Sequence, residues 1–303
     1  MINGIINVYK EKGFTSHDVV AKLRGIAGQR KIGHTGTLDP DATGVLPVCL
    51  GRATKVCDLL TDKDKIYKAV MLLGRVTDTQ DTSGEILKEA DTIKLTKDAV
   101  VEAILSFEGE YDQLPPMYSA LKVNGKKLYE LAREGKVVER KTRRVNIFSI
   151  NIKSIDLPRV TMEVHCSKGT YIRTLCNDIG EKLGVGGCME ELIRTKVSRF
   201  ELKDAIKLEE LQKLKDEGKL DTIVLPVDEI FEDYNKVVLN DIQVKLAYNG
   251  NPIPFKVLSS DTGDNIRTYD ENGNFIGLYK ADEKKRMFRL EKMFLDPEAV
   301  LRG

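Results

Sequence analysis

The sequence predicts an α+β protein with a second, smaller β-rich domain at its C-terminal end. Three observations carry this. Strand patterns of period two and helix patterns of period 3.6 are interspersed over most of the chain. From about residue 235 the texture changes to five short strands separated by Asn, Gly, Asp and Pro turns. One long loop, at 33–44, follows neither period and is rich in glycine and in chemically capable residues.

Taken in order, residues 5–9 form the first expected strand. Thr15 and Ser16 offer a cap to a helix whose Val19, Val20, Leu23 and Ile26 fall on one face. Arg24, Arg30 and Lys31 bring positive charge up to the loop. Its sequence is Gly33-His34-Thr35-Gly36-Thr37-Leu38-Asp39-Pro40-Asp41-Ala42-Thr43-Gly44. The apolar run at 45–50 then predicts a buried strand, and 53–60 a helix. Residues 65–73 form another strand, with Tyr67 among aliphatic neighbours, where a core tyrosine is the ordinary expectation. A polar turn at 78–84 precedes a helix at 98–107, with Val100, Val101, Ile104 and Leu105 inward.

Residues 114–144 differ: they open on Pro115-Pro116, contain few aliphatic residues and carry nine Lys and Arg against three Glu. A solvated charged face is the common outcome for such a run. Here Tyr118 and Tyr129 interleave with the charges and Gly125 and Gly135 hinge them, a pattern suited to a mobile arm laid on a polyanion. Strands follow at 145–155 and 160–167, the second placing Val160, Met162, Val164 and Cys166 on one face. Gly169 then turns the chain into a helix that runs to about residue 183. Tyr171 and Arg173 fall at its start, where backbone N–H groups are free. An arginine there is usually a surface charge, but it could also grip a carboxylate bidentately. Residues 192–195 are a short apolar-basic segment, and 208–214 a short amphipathic helix. Strands at 237–239, 253–258, 266–269, 275–279 and 287–290 suggest a small barrel-like domain.

Composition sets limits. The chain has 303 residues, 41% hydrophobic and 31% charged, enough for one large domain and one small one. Its net charge is +1, so any nucleic-acid surface must arise by local clustering. The five cysteines form no C-x-x-C pair and several lie in apolar runs, which predicts buried free thiols in a reducing compartment. Three histidines, none at ligand spacing from a cysteine, argue against structural zinc. No apolar run approaches membrane-spanning length, and the cytoplasm is the expected location.

A glycine-rich loop beside a buried strand is a common seat for a reactive side chain. Asp39 is the best candidate, because Pro40 restricts its backbone to extended conformations. An aspartate that merely caps a turn is the usual fate of a lone Asp-Pro. The length of the loop and its His34 favour function.

Several separated blocks together resemble the TruB family of bacterial tRNA pseudouridine-55 synthases. Gly33 through Pro47 is similar to the catalytic motif. Lys65-Ile66-Tyr67 with Gly74 and Thr77-Asp78-Thr79 is similar to the second. Pro115-Pro116-Met117-Tyr118-Ser119-Ala120-Leu121-Lys122, Gly125-Lys126 and Leu128-Tyr129 resemble the RNA-gripping insertion, and Cys166 through Leu175 the third motif. The similarity is strong over 4–198 and weak beyond.

The resemblance implies a pseudouridine-synthase fold: a mixed, mostly antiparallel central sheet flanked by helices, with a cleft across its face. It implies a catalytic domain at 1–232 and a PUA-like RNA-binding domain at 233–303. It implies isomerisation of uridine-55 in the tRNA T loop, with no cofactor and no metal. Asp39 would be the obligatory catalytic group, acting as nucleophile or as base. Arg173 would pair with it and lower its pKa. Tyr67 would stack on the flipped base and help remove the C5 proton, and Tyr171 and Leu192 would line the pocket. His34 would wedge into the gap that the uridine leaves. Lys122, Lys126 and Lys127 would grip the T-loop backbone, and the C-terminal domain would touch the acceptor stem. A monomer is expected.

Other assignments compete. Asp39-Pro40-Asp41-Ala42-Thr43 also fits the D-x-D-x-T pattern of magnesium-dependent aspartyl-phosphate phosphatases, although no apolar strand precedes it. His34-Thr35-Gly36-Thr37 half-matches a nucleotidyl-transferase signature that needs a second histidine. A tRNA-binding folding helper without catalysis would satisfy the basic arm, but leaves Asp39 unexplained.

Overall fold

A computed structural model describes residues 1–255 and 264–295. β1 (Gly4–Lys10) leads into α1 (Ser16–Ala27). The Thr15 side chain accepts from the Asp18 N–H, and the Asp18 carboxylate accepts from the Thr15 N–H in return. This reciprocal cap satisfies two N–H groups and is worth about 1 kcal/mol. Val19, Val20, Leu23 and Ile26 are buried, as their spacing requires.

β2 (Ile32–His34) and β3 (Thr43–Leu50) bracket the glycine-rich loop. Both faces of β3 are covered, which explains its continuous apolar sequence. Leu46, Val48 and Leu50 pack with α1, while Val45 and Cys49 pack on the opposite side. The helix predicted at 53–60 is two pieces, a 3-10 turn at Gly51–Val56 and α2 (Cys57–Thr61). β4 (Lys65–Leu73) has the predicted bounds. β5 (Arg75–Thr77) and β6 (Ile86–Glu89) form a hairpin around the polar turn. α3 (Lys97–Leu105) buries Val100, Ala103 and Ile104; Val101 is half-buried and Leu105 exposed, contrary to expectation. With Val100 and Ile104 facing the core, Val101 and Leu105 each lie about 100° further round the helix.

β7 (Gly109–Gln113) precedes the basic stretch, which folds as the hairpin β8 (Lys122–Val123) and β9 (Lys126–Lys127) followed by α4 (Leu128–Arg133). Leu128 and Leu131 are buried and anchor it. β10 (Arg143–Asp156) and β11 (Arg159–Cys166) run antiparallel, and Val160, Met162, Val164 and Cys166 share the buried face. α5 (Ile172–Lys182), β12 (Gly187–Val197), β13 (Phe200–Glu201) and α6 (Leu208–Asp216) complete this part. Residues 192–195 are therefore no short segment; they lie within an 11-residue strand. Its charges obscure the pattern because their partners are remote in sequence: Glu190 meets Arg159 of β11, and Arg194 meets the backbone carbonyls of Val45 and Gly36.

These strands build a nine-stranded sheet in the order β1-β3-β12-β4-β11-β10-β7, with β2 on β3 and β13 on β12. All its pairs are antiparallel except β3 with β12, so the sheet is mixed and mostly antiparallel. Residues of α3 and α5 share a core with β4, β10 and β11, and residues of α1 and α6 share one with β1 and β3.

A second sheet has the order β14-β16-β17-β18-β15. Its strands are β14 (Asn235–Val238), β15 (Ile253–Pro254), β16 (Asn265–Tyr269), β17 (Phe275–Asp282) and β18 (Met287–Met293). α7 (Asp241–Tyr248), which the sequence reading did not predict, sits between the first two and is capped by Asn240. Of the strand predicted at 253–258, only Ile253–Pro254 is described; the remainder lies outside the described residues. Leu278 and Phe294 join Ile5, Val45, Cys49 and Phe231 in one apolar core. Arg52 Nη1 donates to the Phe294 carbonyl at 3.0 Å and Lys55 Nζ to that of Met293 at 2.6 Å, so the second sheet is fixed against β1 and β3. Among the described residues no helix is long and apolar enough to cross a membrane.

Candidate active site

The loop between β2 and β3 is held down at three points. Gly44 pairs with Arg194 where β3 and β12 run parallel. Its φ is +106°, and a Cβ there would lie 2.3 Å from the Arg194 carbonyl oxygen, so only glycine allows the approach. Lys10, at the end of β1, is fully buried, and its Nζ donates to the carbonyls of Pro40 at 2.9 Å and Ala42 at 2.5 Å. Burial pushes its pKa down to about 8. Ser16 Oγ accepts from the Leu38 N–H at 2.9 Å. Asp39 is thereby presented to a cleft of about 750 Å³ whose wall includes Tyr67, Tyr171, Arg173, Leu192 and Arg194.

Arg173 enters the cleft from the first turn of α5, with its side chain only 6% exposed. Its Nε lies 3.0 Å from Asp39 Oδ2, and Nη2 lies 3.4 Å from Oδ1, the bidentate pair the sequence suggests. Nη1 donates to the Thr79 carbonyl at 3.0 Å, and Nη2 to the Tyr118 carbonyl at 2.7 Å. Asp81 Oδ2 lies 3.5 Å from Nη1. One guanidinium thus ties together the loop, the polar turn at 78–84 and the root of the insertion.

The sequence reading predicts an Asp39 pKa below the ordinary carboxylate value. The net shift is upward. Burial is the largest cause, and it outweighs the pull of Arg173; the Asp81 charge pushes the same way as burial. Arg173 divides its charge between two carboxylates, so it only partly offsets the loss of water. The Asp39 side chain still keeps 40% of its accessibility, so a substrate can reach it.

Tyr67 on β4 and Arg194 on β12 are cross-strand partners. Arg194 is 1% exposed and donates to the carbonyls of Val45 at 2.7 Å and Gly36 at 3.3 Å. Its guanidinium lies close enough to Tyr67 for the charge to act on the phenol. Burial raises the Tyr67 pKa, and the Arg194 charge opposes that rise.

The structure therefore brings together Asp39, Tyr67, Tyr171, Arg173 and Leu192. His34 does not line the cleft; its Nδ1 accepts from the Gly36 N–H at 3.2 Å. Burial and then the Arg194 charge lower its pKa, so it is neutral at pH 7. Lys122, Lys126 and Lys127 also lie outside the cleft, on the β8–β9 hairpin. Lys126 is 3.5 Å from Glu134, and Lys127 Nζ is 3.2 Å from the Tyr129 hydroxyl, so part of the arm's charge is engaged internally. Sequence reasoning missed Lys10, Asp81 and Arg194. A lysine ending an apolar strand, an aspartate closing Asp78-Thr79-Gln80-Asp81 and an arginine inside a strand were the available signals.

The phosphatase alternative needs its first aspartate at the end of a strand. Here β3 begins at Thr43, after both aspartates, and Asp41 is exposed and outside the cleft wall.

Aromatic walls suited to a planar base, a reachable carboxylate gripped by a buried guanidinium and a neighbouring cationic arm define an enzyme that works on a nucleotide of RNA. Comparison with known proteins is specific about which. Residues 24–172 match the TruB family pseudouridylate synthase (N terminal domain) model, and residues 173–232 match the tRNA pseudouridylate synthase B C-terminal domain model. The chain is 54% identical over 308 residues to the tRNA pseudouridine synthase B of Lachnoclostridium phytofermentans, covering 97% of this chain and 100% of that one. It is 46% identical over 299 residues to the Clostridium perfringens protein of the same name, at 97% and 100% coverage. Among solved structures it resembles a chain of a Cbf5-Nop10-Gar1 complex, with a TM-score of 0.73 and 29% identity over 97% of this chain and 86% of that one. A chain of an H/ACA RNP bound to a substrate RNA containing 2′-deoxyuridine gives a TM-score of 0.72 and 26% identity, at 97% and 86% coverage. The chain belongs to the TruB family of pseudouridylate synthases.

Proposed function

We propose that this chain isomerises uridine-55 in the T loop of tRNA to pseudouridine, with Asp39 as the obligatory catalytic group. The observation that carries the proposal is the Asp39–Arg173 pair, 3.0 Å apart in a cleft that also presents Tyr67. In the reaction the N1–C1′ bond breaks, a C5–C1′ bond forms, a proton leaves C5 and N1 gains one. The target base must leave its stack, at a cost of roughly a few kcal/mol. Tyr67, Tyr171 and Leu192 receive it, and His34 fills the gap in the RNA. Asp39 acts on the freed nucleoside, at the sugar or at the base. The Tyr67 hydroxyl helps remove the C5 proton; burial raises its pKa, and the Arg194 charge beside it limits that rise. The reaction needs no cofactor.

The substrate is gripped through the T-loop stem by the basic insertion. The C-terminal unit, residues 233–303, acts as a PUA-like module on the acceptor stem, and residues 1–232 form the catalytic domain. The protein works as a monomer in the cytoplasm, a setting that suits its five free thiols.

Incubation with a T-loop stem transcript tritiated at uridine C5 tests the proposal. Stoichiometric tritium release is expected, and none would overturn it. Replacing Lys122, Lys126 and Lys127 by Ala should weaken tRNA binding. It should also reduce the slope of log affinity against log salt by about 0.7–0.9 for each phosphate that is no longer neutralised. An unchanged slope in a salt titration would remove these lysines from the interface.

A further inference from the structure

Gln113 is the last residue of β7 and is 1% exposed. Its Oε1 accepts from the Tyr171 N–H at 2.7 Å, and its Nε2 donates to the Tyr171 carbonyl at 2.9 Å. The side-chain amide thus pairs with one residue's backbone as a neighbouring strand would. Tyr171 is the N-cap of α5 and has no side-chain cap of its own. Its carbonyl also accepts from the Leu175 N–H at 3.1 Å, the first turn of the helix.

A carboxylate in place of the amide would accept from the Tyr171 N–H alone, although its charge would suit the positive end of the helix better. The amide instead holds both ends of the Tyr171 residue. The Tyr171 ring lines the cleft, and two residues on is the guanidinium that grips Asp39. Gln113 pairs with Arg143 of β10 across the base of the insertion, whose Tyr118 carbonyl also holds Arg173. Other titratable or charged groups nearby are Tyr111 on the same strand and Asp178 of α5, which accepts from the Tyr111 hydroxyl.

We propose that Gln113 is a positioning residue for the isomerisation: its amide fixes the backbone of Tyr171, and through it the Tyr171 ring and the Arg173 guanidinium that orients Asp39. This rests on the roles given above to Asp39 and Arg173. The amide is required because it donates and accepts at once. Neutral glutamic acid can do the same, with its hydroxyl toward the Tyr171 carbonyl. Ionised glutamate cannot, since it presents a lone pair to a lone pair. Burial and that carbonyl raise the pKa of a glutamate placed here.

The test is the single-turnover rate on saturating T-loop RNA for Gln113→Glu and Gln113→Met, each divided by the wild-type rate at the same pH. Gln113→Met should be roughly 10- to 100-fold slow throughout. Gln113→Glu should be comparably slow at about pH 8.5 and should recover toward the wild-type rate at about pH 6, as the buried acid protonates. RNA affinity should stay within about twofold, as expected when binding and chemistry separate. A wild-type rate for Gln113→Met, a pH-independent ratio for folded Gln113→Glu, or a defect wholly in affinity would overturn the proposal. Should Gln113→Glu fail to fold at the higher pH by circular dichroism, Gln113→Met decides alone. Wild-type protein that releases no tritium, or Asp39→Asn that still does, would instead sink the underlying active-site assignment.

Discussion

Asp39→Asn is expected to lower pseudouridine formation by roughly 10⁴-fold or more, because the other carboxylate of the cleft wall, Asp62, is ion-paired with Lys168 at 2.9 Å and does not meet the Arg173 guanidinium. Asp81 is close, but it is held by Thr79 and Ser83 and lies on the far side of Arg173. Binding of a T-loop stem should change by no more than a few-fold, since asparagine keeps the size of the group. The same variant should be at least as stable as the wild type. The sign follows from the raised pKa. The charged form is disfavoured in the fold, so the ionised group destabilises the native state above its folded pKa, and the penalty fades as pH falls through that value. Asparagine removes the penalty at neutral pH, and Arg173 retains Asp81 and two carbonyls. In the wild type, turnover should fail on the acid side at a pH above the ordinary aspartate range. Single-turnover rates across pH and thermal melts of both proteins check these points. Retained turnover in Asp39→Asn would overturn the assignment.

Arg173→Ala should damage both stability and catalysis. It leaves Asp39 and Asp81 near one another without their shared cation and frees the carbonyls of Thr79 and Tyr118. Removing one partner of such a buried arrangement costs about 3–5 kcal/mol, measurable by urea denaturation. The remaining activity should be low, and its acid limb should shift to higher pH because the force lowering the Asp39 pKa is gone. The rate should fall more than RNA affinity does. A defect confined to affinity, with an unshifted acid limb, would count against Arg173 as the partner of Asp39.

The parts of this molecule that were legible in its sequence are those whose neighbours are apolar. β4, β11 and the inward face of α1 follow from periodicity, because each side chain there needs only oil around it. The loop at 33–44 stood out by violating every period. β12 was hidden because Glu190 and Arg194 find partners that are remote in sequence, and a charge in a strand looks like a loop until its partner is known. Lys10 and Arg194 were missed for a related reason. Their partners are mainly backbone carbonyls, which every residue carries and which no sequence pattern marks. The sign of the Asp39 shift depended on how much water the fold removes, a quantity set by the whole cleft rather than by one ion pair.

Ile5, Val45 and Cys49 turn one side of the catalytic scaffold toward Leu278 and Phe294, across the expected boundary between the two parts of the chain. That shared interior makes the two sheets interdependent in melting: peeling away the later one would strip the cover from the strand on which the reactive loop closes. The C-terminal unit is thus also a structural lid for the scaffold, and shortening the gene product near residue 233 would leave a sticky, oil-faced remnant rather than a minimal catalyst.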